Sequence, residues 1–177
     1  MGWMHGLGRN VLLYCALGLA ACSTLDTAPP ADLPRNVRWA VLPFTNATET
    51  PLAGQRAASL LASLVPALGV TDVRAYPDRI DDDGLLETGQ ASNRDKALEW
   101  ARAQEARYAL TGSVQEWRYK VGVDGEAAVG LSLQVIDLSD GRVVWSAVGA
   151  RSGWSRESLA GVAQKLLRDL AKPAFDK

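Results

Sequence analysis

The side chains able to do covalent or metal chemistry are few and poorly placed for it. His5, Cys15 and Cys22 are the only histidine and the only cysteines among 177 residues, and all lie within the first 22. Beyond that point, Ser-His-Asp and Cys-His catalysis and His- or Cys-ligated zinc lack their essential groups. Carboxylates remain. Asp78, Asp81, Asp82, Asp83 and Glu87 stand against Arg79 alone in one polar stretch. Adjacent aspartates can hold a divalent cation, attract a cationic ligand or simply solvate a loop. The stretch lacks the glycine-turned alternating spacing of a calcium loop, and no spacing sets two carboxylates across a pocket for glycoside hydrolysis. Asp124 and Glu126 flank Gly125 as a smaller acidic pair. No glycine-rich loop joins a strand to a helix at phosphate-binding spacing. The expectation is a non-enzyme with no cofactor and no metal.

The first 22 residues form an address rather than a site. Met1 to Asn10 carries Arg9 and no acid, an apolar run covers Val11 to Ala20, and Leu19-Ala-Ala-Cys22 follows. The run is about half the roughly 20 residues a spanning helix needs, so it reads as a cleaved secretory signal. Its end resembles the bacterial lipobox, in which the cysteine becomes the new N-terminus and its thiol carries diacylglycerol. Ser23 follows where Asp would resemble an inner-membrane retention signal, which implies the outer membrane. Cleavage before Cys22 leaves 156 residues with a net charge of -2. Residues 22–35, with three prolines and little to bury, read as a lipidated flexible tether, and 36–177 as a single domain.

Composition agrees with a globular domain: 22% charged and 47% hydrophobic residues, with 19 basic against 20 acidic side chains. No basic surplus points to nucleic acid. Trp154 sits between Arg151 and Arg156 in a loop before the last helix. Indole between cations suits a membrane interface. If Ser155 caps the helix, Trp154 and Leu159 equally suit a hydrophobic staple. Trp39, Trp100, Trp117 and Trp145 fall on apolar faces and read as core or subunit contacts. Arg107 closes the second helix, where a cation favours the dipole.

These residues need elements to position them. Residues 38–44 read as a strand, and Thr50-Pro51 as the cap of a helix whose Ala57, Leu60, Leu61, Leu64 and Leu68 form one stripe. Residues 70–76 form a second strand, 77–90 a long loop, and a second helix runs from Ser92 to about Ala106. From Tyr108 the period is two, with Tyr108, Leu110 and Val114 on one parity and Trp117, Tyr119 and Val121 on the other, which predicts a bulge near Gln115. Asp124-Gly125 and Asp140-Gly141 mark hairpin turns around a strand with Val129, Leu131, Leu133 and Val135 inward. A last strand, 143–151, precedes the most amphipathic helix, from Ser155. The expected fold is α/β: a mixed five-stranded sheet on three helices, in the order β-α-β-α-β-β-β-α.

A lipobox, WAVLPFTN at 39–46, LTGSV at 110–114 and SDGRVVWS at 139–146 resemble the superfamily of TolB N-terminal-like and CsgG-like periplasmic lipoproteins. The ending GARSGWS at 149–155 is similar to the PelC family of Pel exopolysaccharide export. That resemblance implies a homo-oligomeric ring of about a dozen copies at the outer membrane, held by acylated Cys22 in membrane lipid and set against the porin PelB. It also implies an electronegative surface guiding a cationic polysaccharide, for which Asp78, Asp81, Asp82, Asp83, Asp124 and Glu126 are the candidates. Trp154, with Arg151 and Arg156, would match the membrane face. The alternatives are a CsgG-like secretion component, which needs added spanning hairpins, and an LpoB-like tethered activator of a peptidoglycan synthase.

Overall fold

The computed structural model describes residues 23–77, 90–121, 125–154 and 156–176. Seven strands form one mixed sheet: β1 (Ser23–Thr27), β2 (Arg38–Val41), β3 (Thr45–Asn46), β4 (Asp72–Ala75), β5 (Tyr108–Tyr119), β6 (Ala127–Asp137) and β7 (Val143–Ser152). Three helices pack on it: α1 (Ala53–Leu64), α2 (Gln90–Ala103) and α3 (Leu159–Ala171). The strand order is β1-β7-β6-β5-β2-β4, with β3 pairing β5. All five expected strands are present, but two more are inserted, so the count and the order both differ from expectation. β3 exists because the chain, turned by Pro43, rejoins β5 at Ser113 and Val114. β1 comes from the segment read as tether, and it pairs antiparallel with β7 over five residues.

Alternation divides the core in two. Trp39 and Val41 of β2 face α1 and α3, with Leu110, Leu131, Leu133 and the α3 stripe Val162, Leu166, Leu167 and Leu170. Ala40 and Leu42 face the other side, with Ala97 and Ala101 of α2. Neighbours in a strand point to opposite faces, so β2 is buried on both sides, as the inner strand of a parallel βα unit should be. Each large side chain so buried contributes about 1.5–3 kcal/mol.

The bulge expected near Gln115 is present: Val114 opposes Leu131 and Glu116 opposes Gly130, leaving Gln115 as the extra residue. Without it Trp117 would turn to the opposite face; with it Trp117 joins Val114 in the core. Three expected helix starts are corrected. The Thr50 hydroxyl donates to Trp117 O instead of capping α1, and Leu52, at φ 61°, stands before the helix with no side-chain cap. α3 starts later than expected, with Ser158 as N-cap accepting from Gly161 N at 3.1 Å. α2 starts at Gln90, earlier than its expected cap at Ser92.

Candidate functional site

The β1–β7 edge brings the sequence-predicted membrane residues to one corner. Register pairs Ser23 with Arg151, so β1 begins beside the end of β7. The following backbone is stitched down as well: Ala28 N donates to Ser146 O (2.9 Å), Leu33 N to Ala174 O (3.0 Å) and the Trp39 indole N–H to Pro34 O (2.9 Å). The Arg35 guanidinium donates to Leu68 O and Phe175 O and lies over the Phe175 ring. Composition hid this because, apart from the Trp39–Pro34 bond, each contact is with a distant part of the chain. A groove of about 380 Å³, lined by Ser23, Thr24, Glu116, Ala150, Arg151 and Ser152, opens at the same corner.

Trp154 projects from this corner with 57% of its surface exposed. With the cap at Ser158, Trp154 is no longer the residue before an N-cap, and the staple with Leu159 does not form. Its loop is nevertheless firmly held. Gly153 N donates to Ala127 O (2.7 Å), Glu157 N to Trp154 O (2.9 Å), and Trp154 N reaches the Glu157 carboxylate at 3.4 Å. Lys165 bonds that carboxylate from α3 and, as the largest cause, draws its pKa below the ordinary glutamate range. A Cβ on Gly153 would meet Val162 at 2.6 Å, which is why glycine stands there.

The two cations flanking Trp154 part company. Arg151 turns to α3 and pairs with Asp169 at 2.7 Å, its Nε buried without a partner among the described residues. That pairing leaves the Arg151 side chain 19% exposed. Arg156 is exposed, at φ 73°. Arg107, expected to serve the α2 dipole, instead joins Asp137 at 2.7 Å and stacks on Tyr108. Trp39, Trp117 and Trp145 are core residues, and Trp100 packs edge-on against Tyr76.

The hairpin end of β5 also reaches this corner, which alternation alone did not reveal. Lys120 Nζ donates to Ser152 Oγ (2.7 Å), Lys120 N to Glu126 O (2.7 Å), and Leu159 N to the Tyr119 hydroxyl (3.3 Å). Glu126 therefore sits at the β5–β6 hairpin end, with β7 between it and β1. β4, the strand that precedes the acidic stretch in sequence, is the opposite edge of the sheet. Cys22, Asp78, Asp81, Asp82, Asp83, Glu87 and Asp124 lie outside the described residues.

A second concavity of about 480 Å³ opens at the carboxyl end of β2, between α1 and α2, lined by residues including Asn46, Gln55, Arg94, Ser113 and Gln134. Its hydroxyls are satisfied within the wall: Thr111 donates to Pro43 O (2.9 Å), and Ser113 and Ser132 bond each other (2.8 Å). Among the described residues no three His, Cys, Asp or Glu side chains gather to hold a metal, and no helix is long and apolar enough to cross a membrane.

Residues 55–150 match the family model of the peptidoglycan-synthase activator LpoB. Among solved structures, the PelC dodecamer from Paraburkholderia phytofirmans is 43% identical, with a TM-score of 0.74, and the match covers 88% of this chain and 99% of that one. A point variant of that dodecamer is likewise 43% identical, covering 88% of this chain and all of the other, with a TM-score of 0.75. A search of the curated proteins finds no match. The resemblance carried by the strand motifs and the closing segment thus holds over 88% of the chain, and the chain belongs to the PelC family, which the LpoB model match accompanies.

Proposed function

We propose that the protein is an outer-membrane lipoprotein, anchored on the periplasmic face through acylated Cys22, that assembles with copies of itself into a ring and guides a cationic exopolysaccharide to its porin. The observation that carries this reading is the 43% identity to a protein that forms a dodecamer, over 88% of this chain. The polymer would be Pel, the porin PelB, and the setting the export of biofilm matrix.

The chemistry of guidance is electrostatic. Asp78, Asp81, Asp82 and Asp83 carry four charges in six residues; repeated around a ring, they would form a focused negative field that attracts amino-sugar cations while holding none tightly. A net charge near neutrality is compatible with this, because the acids need only segregate to one surface. Exposed Trp154 and Arg156 would sit at headgroup level beside the acyl chains.

The mass of the lipidated protein in mild detergent, measured beside a Cys22→Ser soluble form, tests the assembly. A closed oligomer of about ten or more copies is expected. A strict monomer in both forms would overturn the ring and favour the tethered-activator reading that the LpoB match suggests. Replacing the four aspartates by asparagine should then lower polymer export without changing the oligomer's mass.

A further inference from the structure

The β5–β6 hairpin outruns the core that supports it. Val114 and Trp117 are buried, but Tyr119 is 51% exposed and Val121 is fully exposed. Chain leaving a sheet for a turn normally uses Gly, Pro, Asn, Asp or Ser, so an exposed ring and an exposed β-branched side chain grouped at such an end form a contact surface. Tyr119 is unusual in a second way. Its hydroxyl already accepts the Leu159 N–H at the start of α3, so the polar tip is engaged while the ring stays open. Lys120, between them, bonds Ser152 and forms no ion pair among the described residues.

The position of this end identifies its partner. Trp117 opposes Val129, which opposes Arg151, which opposes Ser23, so one line across four strands joins the base of the hairpin end to the residue after Cys22. Cys22 precedes this corner by one residue, at most about 3.5 Å of chain, so acyl chains on it would tether the corner close to a bilayer surface. Trp154 lies at the same corner, one residue beyond the Gly153–Ala127 hydrogen bond.

We infer that the hairpin end Tyr119-Lys120-Val121 is a second membrane-contacting element, entering the phospholipid interface beside Trp154 and the acyl chains of Cys22. The inference rests on the lipid-anchor reading and extends it: three points, one covalent and two side-chain contacts, fix the orientation of each subunit on the membrane. The ammonium of Lys120 meets lipid phosphate, the Tyr119 ring lies at headgroup depth, and Val121 enters the acyl boundary.

In the mature lipidated chain Cys22 is the sole cysteine and its thiol is blocked, so a thiol introduced by Val121→Cys accepts an environment-sensitive fluorophore uniquely. The same label is placed by Trp154→Cys and, as a remote control on β7, by Val144→Cys. All three sites are exposed, so the fold should tolerate the label. The lipidated protein is reconstituted into phosphatidylethanolamine–phosphatidylglycerol vesicles carrying a shallow spin-label quencher. The 121 label should lose roughly half its emission, as expected at the headgroup–acyl boundary, and the 144 label none. Quenching at 154 but not at 121 overturns the hairpin contact and leaves the anchor reading standing. No quenching at either site overturns both, and quenching at 144 overturns the fixed orientation.

Discussion

Ser23 pairs with Arg151 across the edge of the sheet, three residues before exposed Trp154. The pairing converts the segment following Cys22 from a leash into a strand. A flexible tether of a dozen residues would let the domain sample a wide range of heights and angles; a paired strand leaves only the bond to Cys22. The corner at which β1 begins is thereby defined by backbone hydrogen bonds rather than by composition.

Gly149 is the point at which that strand can be removed selectively. A Cβ there would meet the Leu25 side chain and Thr24 O at 2.7 Å, both on β1. Gly149→Ala should therefore displace β1, while Leu170 of α3, 3.3 Å from that Cβ, need shift by only a few tenths of an ångström. Faster amide exchange confined to residues 23–28, and earlier proteolysis before Pro29, are the expected readouts. Unchanged protection of this segment would mean that β1 is held by something other than this ladder.

Trp154 contributes exposed surface rather than core. Trp154→Ala should change stability by less than about 0.5 kcal/mol, since its loop is held by backbone bonds and by Glu157. By contrast, Leu166→Ala in the fully buried α3 stripe should cost about 2–5 kcal/mol. Denaturant titration of the Cys22→Ser form checks both. Vesicle flotation of the lipidated form should separate them the other way, with weakened association for the Trp154 variant alone.

Acid should loosen the Trp154 loop. The Glu157 carboxylate is held below its ordinary pKa chiefly by Lys165, opposed by burial and assisted by the Trp154 N–H. A depressed folded pKa means that the stabilisation is fully present above the unfolded value, about 4.3, and is lost as pH falls through the lower folded value. The pair is partly solvated, so its worth is under about 1 kcal/mol. Melting temperature followed from pH 6 to pH 3 should show this loss, and Glu157→Gln should remove that part of the dependence.

Asp137 should matter more. Its carboxylate accepts from Ser139 N (2.9 Å), Ser139 Oγ (2.6 Å) and Arg107 (2.7 Å), closing the β6–β7 turn and tying it to the start of β5. Asp137→Ala leaves these donors unmatched beside a buried position and should cost about 1–3 kcal/mol by chemical denaturation. A cost no larger than that of Ser139→Ala would mean that Arg107 adds nothing to the turn.

Much of the architecture was legible in the chain because periodicity reports which face is buried, whatever lies opposite. The α3 stripe, the inward face of β6, the bulge at Gln115 and the turn at Asp140-Gly141 all follow from local spacing. Caps were less legible. Thr50 has the right residue type for a cap, but its hydroxyl finds Trp117 O, 67 residues away, a competitor that no local rule contains.

Side-chain chemistry and hydrophobic spacing alone thus define an α/β core and an acidic stretch, and set the expectation of a signal ending at a lipidation cysteine, because these depend on residue type and near neighbours. The edge strand at Ser23–Thr27, the commitment of Arg151 to Asp169, and the meeting of Trp154, Tyr119 and Val121 at one corner are decided by the folded sheet. Each depends on backbone or charge pairing across a large separation in the chain, where the partner exists only after β7 and α3 are in place.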